Sequence, residues 1–271
     1  MRERDAAARP KYPKHRPGGR RPGRPDSVPA RDADGPVILY GWHTVSAALK
    51  NPARHIRRLW VSENALRRLA DEGVPLPFPP EVVRPDVIAA RLPHDAVHQG
   101  LLAEADPLPG SAVEDLNNGI VLALDQITDP HNVGAIVRTA AAFGVKAIVT
   151  TARHSPEATG VLAKSASGGL EAVPLVTVTN LARGLEALRA SGFQLVGLAG
   201  EAELDLAVAH LRAPLALVLG AEGKGLRQLT RATCDHVVRL ALPGDIKSLN
   251  VSNAAAVALY IATSRLVPDA K

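Results

Sequence analysis

Cysteine is nearly absent. The single thiol, Cys234, allows neither an intrachain disulfide nor a cysteine-based zinc cluster, which points to a reducing, cytoplasmic setting. No apolar run approaches the roughly 20 residues that span a bilayer, and the N-terminus carries no apolar core of a secretory signal, so neither membrane nor export is expected. Aromatic residues make up only 3% of the chain, with two tryptophans. Trp42 stands beside His43, and Trp60 beside Arg57 and Arg58. Such neighbours suit stacking on unpaired bases, but in a chain with so few tryptophans the favoured expectation is rings in the core and arginines in solvent.

Widespread site signatures are missing as well. No G-x-G-x-x-G follows a strand, so a nicotinamide-type site and the usual glycine-rich methyltransferase loop are unsupported. Gly223-Lys224-Gly225 is not part of a G-x-x-x-x-G-K-[ST] phosphate loop, and no G-x-S-x-G elbow supplies a hydrolase serine. His94 and His98 lie four apart without a further ligand, so no metal site is expected.

Positive charge is present, but it is localised. Of 32 Lys+Arg and 27 Asp+Glu, residues 1–36 hold 10 and 5, which leaves 22 against 22 for the rest. This stretch also carries seven prolines and almost no large apolar side chain, so it reads as a disordered basic tail suited to salt-sensitive contact with nucleic acid, or as a plain solubility tail.

Residues 37–105 read as a small αβ unit. Strands are expected at Val37–Tyr40, Ile56–Val61 (alternating, half-buried) and Val97–Leu102, with helices at Val45–Leu49 (capped by Thr44), Ala65–Asp71 and Pro85–Leu92. Residues 106–118, with Pro107, Pro109, Gly110 and paired asparagines, read as a linker. From 119 to 271 strands and helices alternate. Strands are expected at Ile120–Asp125, Val145–Thr150, Val173–Val178, Phe193–Leu198, Leu215–Leu219 and Val237–Leu242, and helices at Val133–Phe143, Glu157–Ser167, Leu181–Ser191 and Val251–Val267. That order predicts an α/β fold with a parallel sheet covered on both faces.

Three polar clusters fall at carboxyl ends of strands, where open α/β sheets bind ligands. In the first, Asn132 opens a helix and Arg138 stands at the edge of its apolar face; periodicity leaves open whether Arg138 serves a site or solvent. In the second, Glu222 sits between Gly220 and Gly223, in a loop that lets a ligand approach the backbone. The third is Ser248-Leu249-Asn250-Val251-Ser252, where Ser248 or Asn250 can cap the last helix but capping alone does not explain three polar residues in five positions.

Asn132-x-Gly134-Ala-Ile-x-Arg138-Thr-Ala, Leu219-Gly-Ala-Glu-Gly-x-Gly225 and Ser248-Leu-Asn-Val-Ser-x-Ala254 resemble, in order and spacing, the three motifs of the SpoU/TrmH family (SPOUT superfamily) of RNA ribose 2′-O-methyltransferases. The unit before the linker, with Tyr40-Gly-Trp-His-Thr-Val and His98-Gln-Gly-Leu, is similar to that family's small, L30e-like substrate-binding domain. Lys164-Ser-Ala-Ser-Gly-Gly-Leu-Glu-Ala-Val-Pro174 points to the branch acting on a guanosine of 23S rRNA, free or in a pre-50S particle. The resemblance implies a C-terminal trefoil knot, a homodimer with the active site completed near the interface, and S-adenosyl-L-methionine as cofactor. By match, Gly220, Leu240 and Leu249 hold that cofactor through the backbone, with Leu219 and Gly225 beside them, and Arg138, Asn132, Glu222, Ser248 and Asn250 form the catalytic set. One departure is visible: where the family has Ile-Pro-Met-x-Gly, this chain has Leu240-Ala-Leu-Pro-Gly244, with the proline two places later. A tRNA ribose methyltransferase of the same family and a non-catalytic ribosome-assembly factor are the alternatives that the same motifs leave open.

Overall fold

The computed structural model describes residues 35–154 and 160–266. The basic tail expected over 1–36 falls, apart from its last two positions, outside the described residues, as does the first part of the helix expected from Glu157. Among the described residues, no helix is long and apolar enough to cross a membrane.

The first part of the chain runs β1 (Val37–Tyr40), α1 (Trp42–Lys50), β2 (Ile56–Val61), α2 (Glu63–Asp71), β3 (Glu81–Val82), α3 (Pro85–Ala89) and β4 (Leu101–Ala105). Its strands form a four-stranded sheet in the order β1-β4-β2-β3, with β4 antiparallel to both β1 and β2. Several details differ from the sequence expectation. The helix α1 begins at Trp42, and Thr44 lies inside it with its hydroxyl donating to Ala163 O at 3.1 Å instead of capping. The closing strand starts only at Leu101, because Gln99 (φ +53°) and Gly100 (φ +78°) leave the extended region. The strand β2 is not half-buried: beyond a register shift between Ile56 and Arg58, Leu59 and Val61 pack in the main core while Trp60 faces the other side, with Tyr40, Ile88 and Leu102, so both faces are covered. Both tryptophans pack in the core, at 3% and 5% exposure, and the arginines lying over their rings are Arg68 and Arg91 rather than their sequence neighbours.

The second part runs β5 (Ile120–Asp125), α4 (Pro130–Ala142), β6 (Ala147–Thr151), α5 (Val161–Ala166), β7 (Leu175–Val178), α6 (Leu181–Ala190), β8 (Gln194–Leu198), β9 (Leu204–Asp205), β10 (Leu215–Gly220), α7 (Gln228–Thr233), β11 (His236–Arg239) and α8 (Val251–Leu266). Its seven strands pair in the order β7-β6-β5-β10-β8-β11-β9, every ladder parallel, in a mixed α/β molecule. The central pair reads as continuous apolar sequence, IVLALD and LALVLG, because both faces are covered. Strand alternation sends Leu122, Leu124, Leu217 and Leu219 to one face, against Val133, Ile136 and Val137 of α4 and Ala255 and Leu259 of α8. Val121, Ala123, Ala216 and Val218 face the other way, against Leu181, Leu185 and Leu188 of α6. The α4 side is continuous with the core of the four-stranded sheet, through Trp42, Val45, Leu162 and Ala166.

Candidate active site

The carboxyl edge of β5 and β10 opens into a cavity of about 480 Å³ lined by Gln126, Asp129, Asn132, Glu222, Lys224 and Val251, among others. Each wall has a local cause. The α4 helix begins at Pro130, with Asp129 Oδ1 accepting from His131 N at 3.0 Å, so the Asp-Pro pair supplies both cap and first residue. Asn132 therefore lies within the first turn, not at the cap, and its side chain is left to reach across the edge. Gly134 two positions on is required by close packing: a Cβ there would stand 2.4 Å from the Ser165 Cβ and 2.7 Å from Leu162 O, so α4 and α5 touch through it.

Asn250 makes the bond that joins the first and third motifs. Its Nδ2 donates to Asn132 Oδ1 at 3.0 Å, while its Oδ1 accepts from Ser252 N at 2.9 Å and from Ser252 Oγ at 2.6 Å, so one side chain both caps α8 and ties it to α4. Of the two capping candidates, Asn250 and not Ser248 is used.

The turn after β10 is closed on itself. Gly225 N donates to Ala221 O at 2.8 Å, and a Cβ on Gly220 would lie 2.2 Å from the Gly225 carbonyl carbon, so only glycine lets the turn fold back so tightly. Asp125, 0% exposed at the end of β5, anchors its far side by accepting from Arg227 N at 2.9 Å and Arg227 Nε at 2.6 Å. Glu222 is exposed at the tip and shares the cavity with Asn132.

The turn after β11 is longer than expected, since β11 stops at Arg239 rather than Leu242. From Leu240 to Leu249 no main-chain group bonds to other main chain among the described residues. The turn folds over the loop after β8, where Lys247 O lies 3.8 Å from a Cβ placed on Gly200. Within it Leu240 is half-buried and Leu249 is 36% exposed, whereas Leu219 across the edge is 2% exposed.

The structure thus brings Asn132, Glu222 and Asn250 to one place. Arg138 and Ser248 are exposed and form no hydrogen bond or ion pair with another described residue. Gln126 and Lys224 line the cavity and Asp125 anchors its closed turn, and sequence reasoning picked out none of the three. Gln126 takes φ +60°, a conformation sparsely populated outside glycine, which places it on the cavity wall. Among the described residues no group of three or more His, Cys, Asp or Glu is arranged to hold a metal ion.

Comparison with known proteins gives two family-model matches. Residues 119–260 match the SpoU rRNA Methylase family, and residues 38–110 match the RNA 2′-O ribose methyltransferase substrate-binding family. The chain is 40% identical over 234 residues to a protein of Pseudomonas putida named 23S rRNA (guanosine-2′-O-)-methyltransferase RlmB, covering 82% of this chain and 94% of that one. A protein of Ralstonia nicotianae with the same name is 41% identical over 249 residues, covering 86% and 98%. The fold resembles the SpoU methyltransferase AviRb from Streptomyces viridochromogenes, solved in complex with AdoMet, at a TM-score of 0.71 and 24% identity over 85% of this chain and 90% of that one. It also resembles an rRNA methyltransferase from Sinorhizobium meliloti, at a TM-score of 0.73 and 23% identity over 88% and 90%. With three separated motifs meeting at one sheet edge and matches of this extent, the chain belongs to the SpoU rRNA methylase family.

Proposed function

We propose that this protein methylates the ribose 2′-hydroxyl of a guanosine in 23S rRNA, with S-adenosyl-L-methionine as methyl donor. The observation that carries the reading is the 3.0 Å bond from Asn250 to Asn132 beside the cavity that Glu222 lines, which unites the motifs of three distant segments. The substrate is supported by relatives of that name, alike over 82% or more of this chain.

Leu219, Gly220 and Gly225 on one side and Leu240 and Leu249 on the other would hold the donor. A turn whose amides and carbonyls lack main-chain partners fits a ligand held through the backbone, and the displaced proline, Pro243, changes no side chain that such binding needs. Bound there, S-adenosyl-L-methionine supplies a methyl group on a sulfonium, open to in-line displacement by an oxygen.

The protein's part is to orient the ribose hydroxyl and to offset the charge that develops on its oxygen. A guanidinium stays protonated, so Arg138 acts as a fixed charge, gripping the adjacent phosphate with two N–H groups and favouring ionisation of the hydroxyl, whose proton leaves to solvent. Ser248 and Asn250 orient that hydroxyl, Asn132 sets the amide of Asn250, and Glu222 orients Arg138 once a second copy brings the two together. Six positions along a helix turn by about 240°, so Arg138 leaves α4 on a different side from Asn132. The active unit in this reading is a homodimer in which a second copy completes the site, with Val257 and Tyr260 of α8, 40% and 65% exposed, available as an apolar contact surface.

In the same reading residues 37–105 hold RNA, 106–118 link, and 119–271 carry the chemistry with the family's trefoil knot. The setting is cytoplasmic, and the substrate is free 23S rRNA or a pre-50S particle. The test is incubation with labelled S-adenosyl-L-methionine and unmodified 23S rRNA, free or in precursor particles, followed by mapping of the 2′-O-methyl position. Label on one guanosine of 23S rRNA is expected. Label on tRNA alone would move the substrate, and absence of transfer despite donor binding would leave a non-catalytic RNA-binding protein.

A further inference from the structure

We infer that the seam between the four-stranded sheet and α5 is a binding site for one phosphate of the RNA backbone, held by the Lys164 ammonium and the side-chain amide of Gln99. This rests on the RNA-methylating function above and deepens it.

Lys164 is half-buried on α5, yet no carboxylate lies within ion-pair distance of it among the described residues. Its Nζ donates to Gln99 Oε1 at 3.3 Å and lies 2.4 Å from where a Cβ on Gly41 would stand, so the charge is sheltered without being neutralised. Burial lowers the Lys164 pKa, and burial together with the Lys164 charge lowers that of His98. A cation held in this way gains most from an anion that arrives from outside.

Gln99 supplies the second donor. Its Oε1 accepts from Trp42 N at 3.0 Å, and because a main-chain N–H can only donate, the carbonyl end of the amide must face inward. The NH₂ end is therefore turned away from that bond on an exposed residue, and it has no partner among the described residues. The backbone at Gln99 adopts φ +53°, a costly conformation for a non-glycine residue and one that places this side chain over α5.

The seam is held rigidly and leads to the cavity. Three successive residues of α5 each reach a different element: Ala163 O accepts from the Thr44 hydroxyl at 3.1 Å, Lys164 meets Gln99, and the Ser165 hydroxyl lies 3.3 Å from His131 Nδ1. His131 precedes Asn132, so a polar track runs from Gln99 to the cavity edge. A backbone phosphate flanking the target nucleotide fits this track, since the seam offers one cation and one amide NH₂, both donors to an anion and open to solvent.

The experiment measures binding of a 23S rRNA fragment by full-length protein over a salt series, for the wild-type chain, Lys164→Gln, Lys164→Arg and Gln99→Ala. One lost phosphate contact should lower the slope of log K against log salt by about 0.7 to 1. That loss is expected for Lys164→Gln and not for Lys164→Arg, while Gln99→Ala weakens binding with the slope kept. Donor affinity by calorimetry should be unchanged in all three. An unchanged slope in Lys164→Gln overturns the site alone, and so does equal weakening in Lys164→Gln and Lys164→Arg. A loss of melting temperature in Lys164→Gln with Gln99→Ala binding like the wild type also overturns it, because the lysine would then be a structural bridge. A wild-type chain that binds donor but not RNA overturns the function, and the site with it.

Discussion

The turns after β10 and β11 leave the same edge of one parallel sheet and are built in opposite ways. The first is closed by the 2.8 Å bond from Gly225 N to Ala221 O and pinned through Arg227 to an aspartate, Asp125, with no exposed surface. The second offers ten residues of main chain without main-chain partners among the described residues, apolar tips such as Ile246 at 78% exposure, and a side-chain bond of its own from Lys247 Nζ to Leu242 O at 3.1 Å. One turn is set by the protein alone, while the other is left with its bonding capacity unspent. A main chain that binds a ligand must keep its own groups uncommitted, which costs stability in its absence. The closed turn carries the opposite trade: it positions Glu222 without help.

The largest expected effect bears on what both turns serve. Arg138→Ala should lower kcat by about 10²- to 10³-fold, the loss seen when one positioned donor to a developing oxyanion is removed, with donor affinity unchanged by calorimetry. Turnover close to wild type would take Arg138 out of the site. Asn250 sharpens the comparison next, since it ends the open turn and holds it to α4. Asn250→Ala loses a helix cap, about 1 kcal/mol of stability, and the bond to Asn132. Asn250→Asp keeps the oxygen that accepts from Ser252, so it should restore thermal stability without restoring turnover. If turnover returns with stability, the cap is the whole role of Asn250.

The closed turn is broken from beneath. Asp125→Ala removes two hydrogen bonds to Arg227, one of them charged, and should cost about 2 to 3 kcal/mol, read from denaturant unfolding. Asp125→Asn, which can still accept from Arg227 N, should cost less. Equal losses would mean that the charge, and not the amide bond, secures the turn.

Much of this edge could be read before any coordinates. The runs Ile120–Leu124 and Leu215–Leu219 are apolar throughout because they are covered on both sides, and the buried positions of α4 followed its period. The start of α4 was missed by misjudging a signal that is present, the Asp129-Pro130 pair, which is cap and first residue together. The end of β11 carried no such signal. Leu240-Ala241-Leu242 continues an apolar pattern, but β8 ends at Leu198 and β9 at Asp205, so the strand runs out of ladder partners at Arg239. Gln99 and Gln126 take positive φ, and no glycine or asparagine at either position announces it. Arg138 shows the limit of periodicity: it gave the edge of the apolar face, and the single chain leaves that side chain exposed.

The smallest effect in energy is the most direct test of the difference between the turns. The amides from Leu240 to Leu249, Pro243 aside, lack main-chain acceptors among the described residues, so in the absence of donor their hydrogen exchange should approach the rate of an unstructured chain. At S-adenosyl-L-methionine concentrations about 100 times Kd, linkage allows slowing of about 100-fold in any segment that opens only when the ligand leaves. Amides of residues 221–226 should change far less, because Gly225 N is already committed to Ala221 O and Arg227 N to Asp125. Equal protection of both turns on adding donor would show that the bond within the first does not persist in solution. Strong protection of the second before any donor is added would mean that its main chain is satisfied by the protein itself, and a backbone-held ligand would then have nothing to bind.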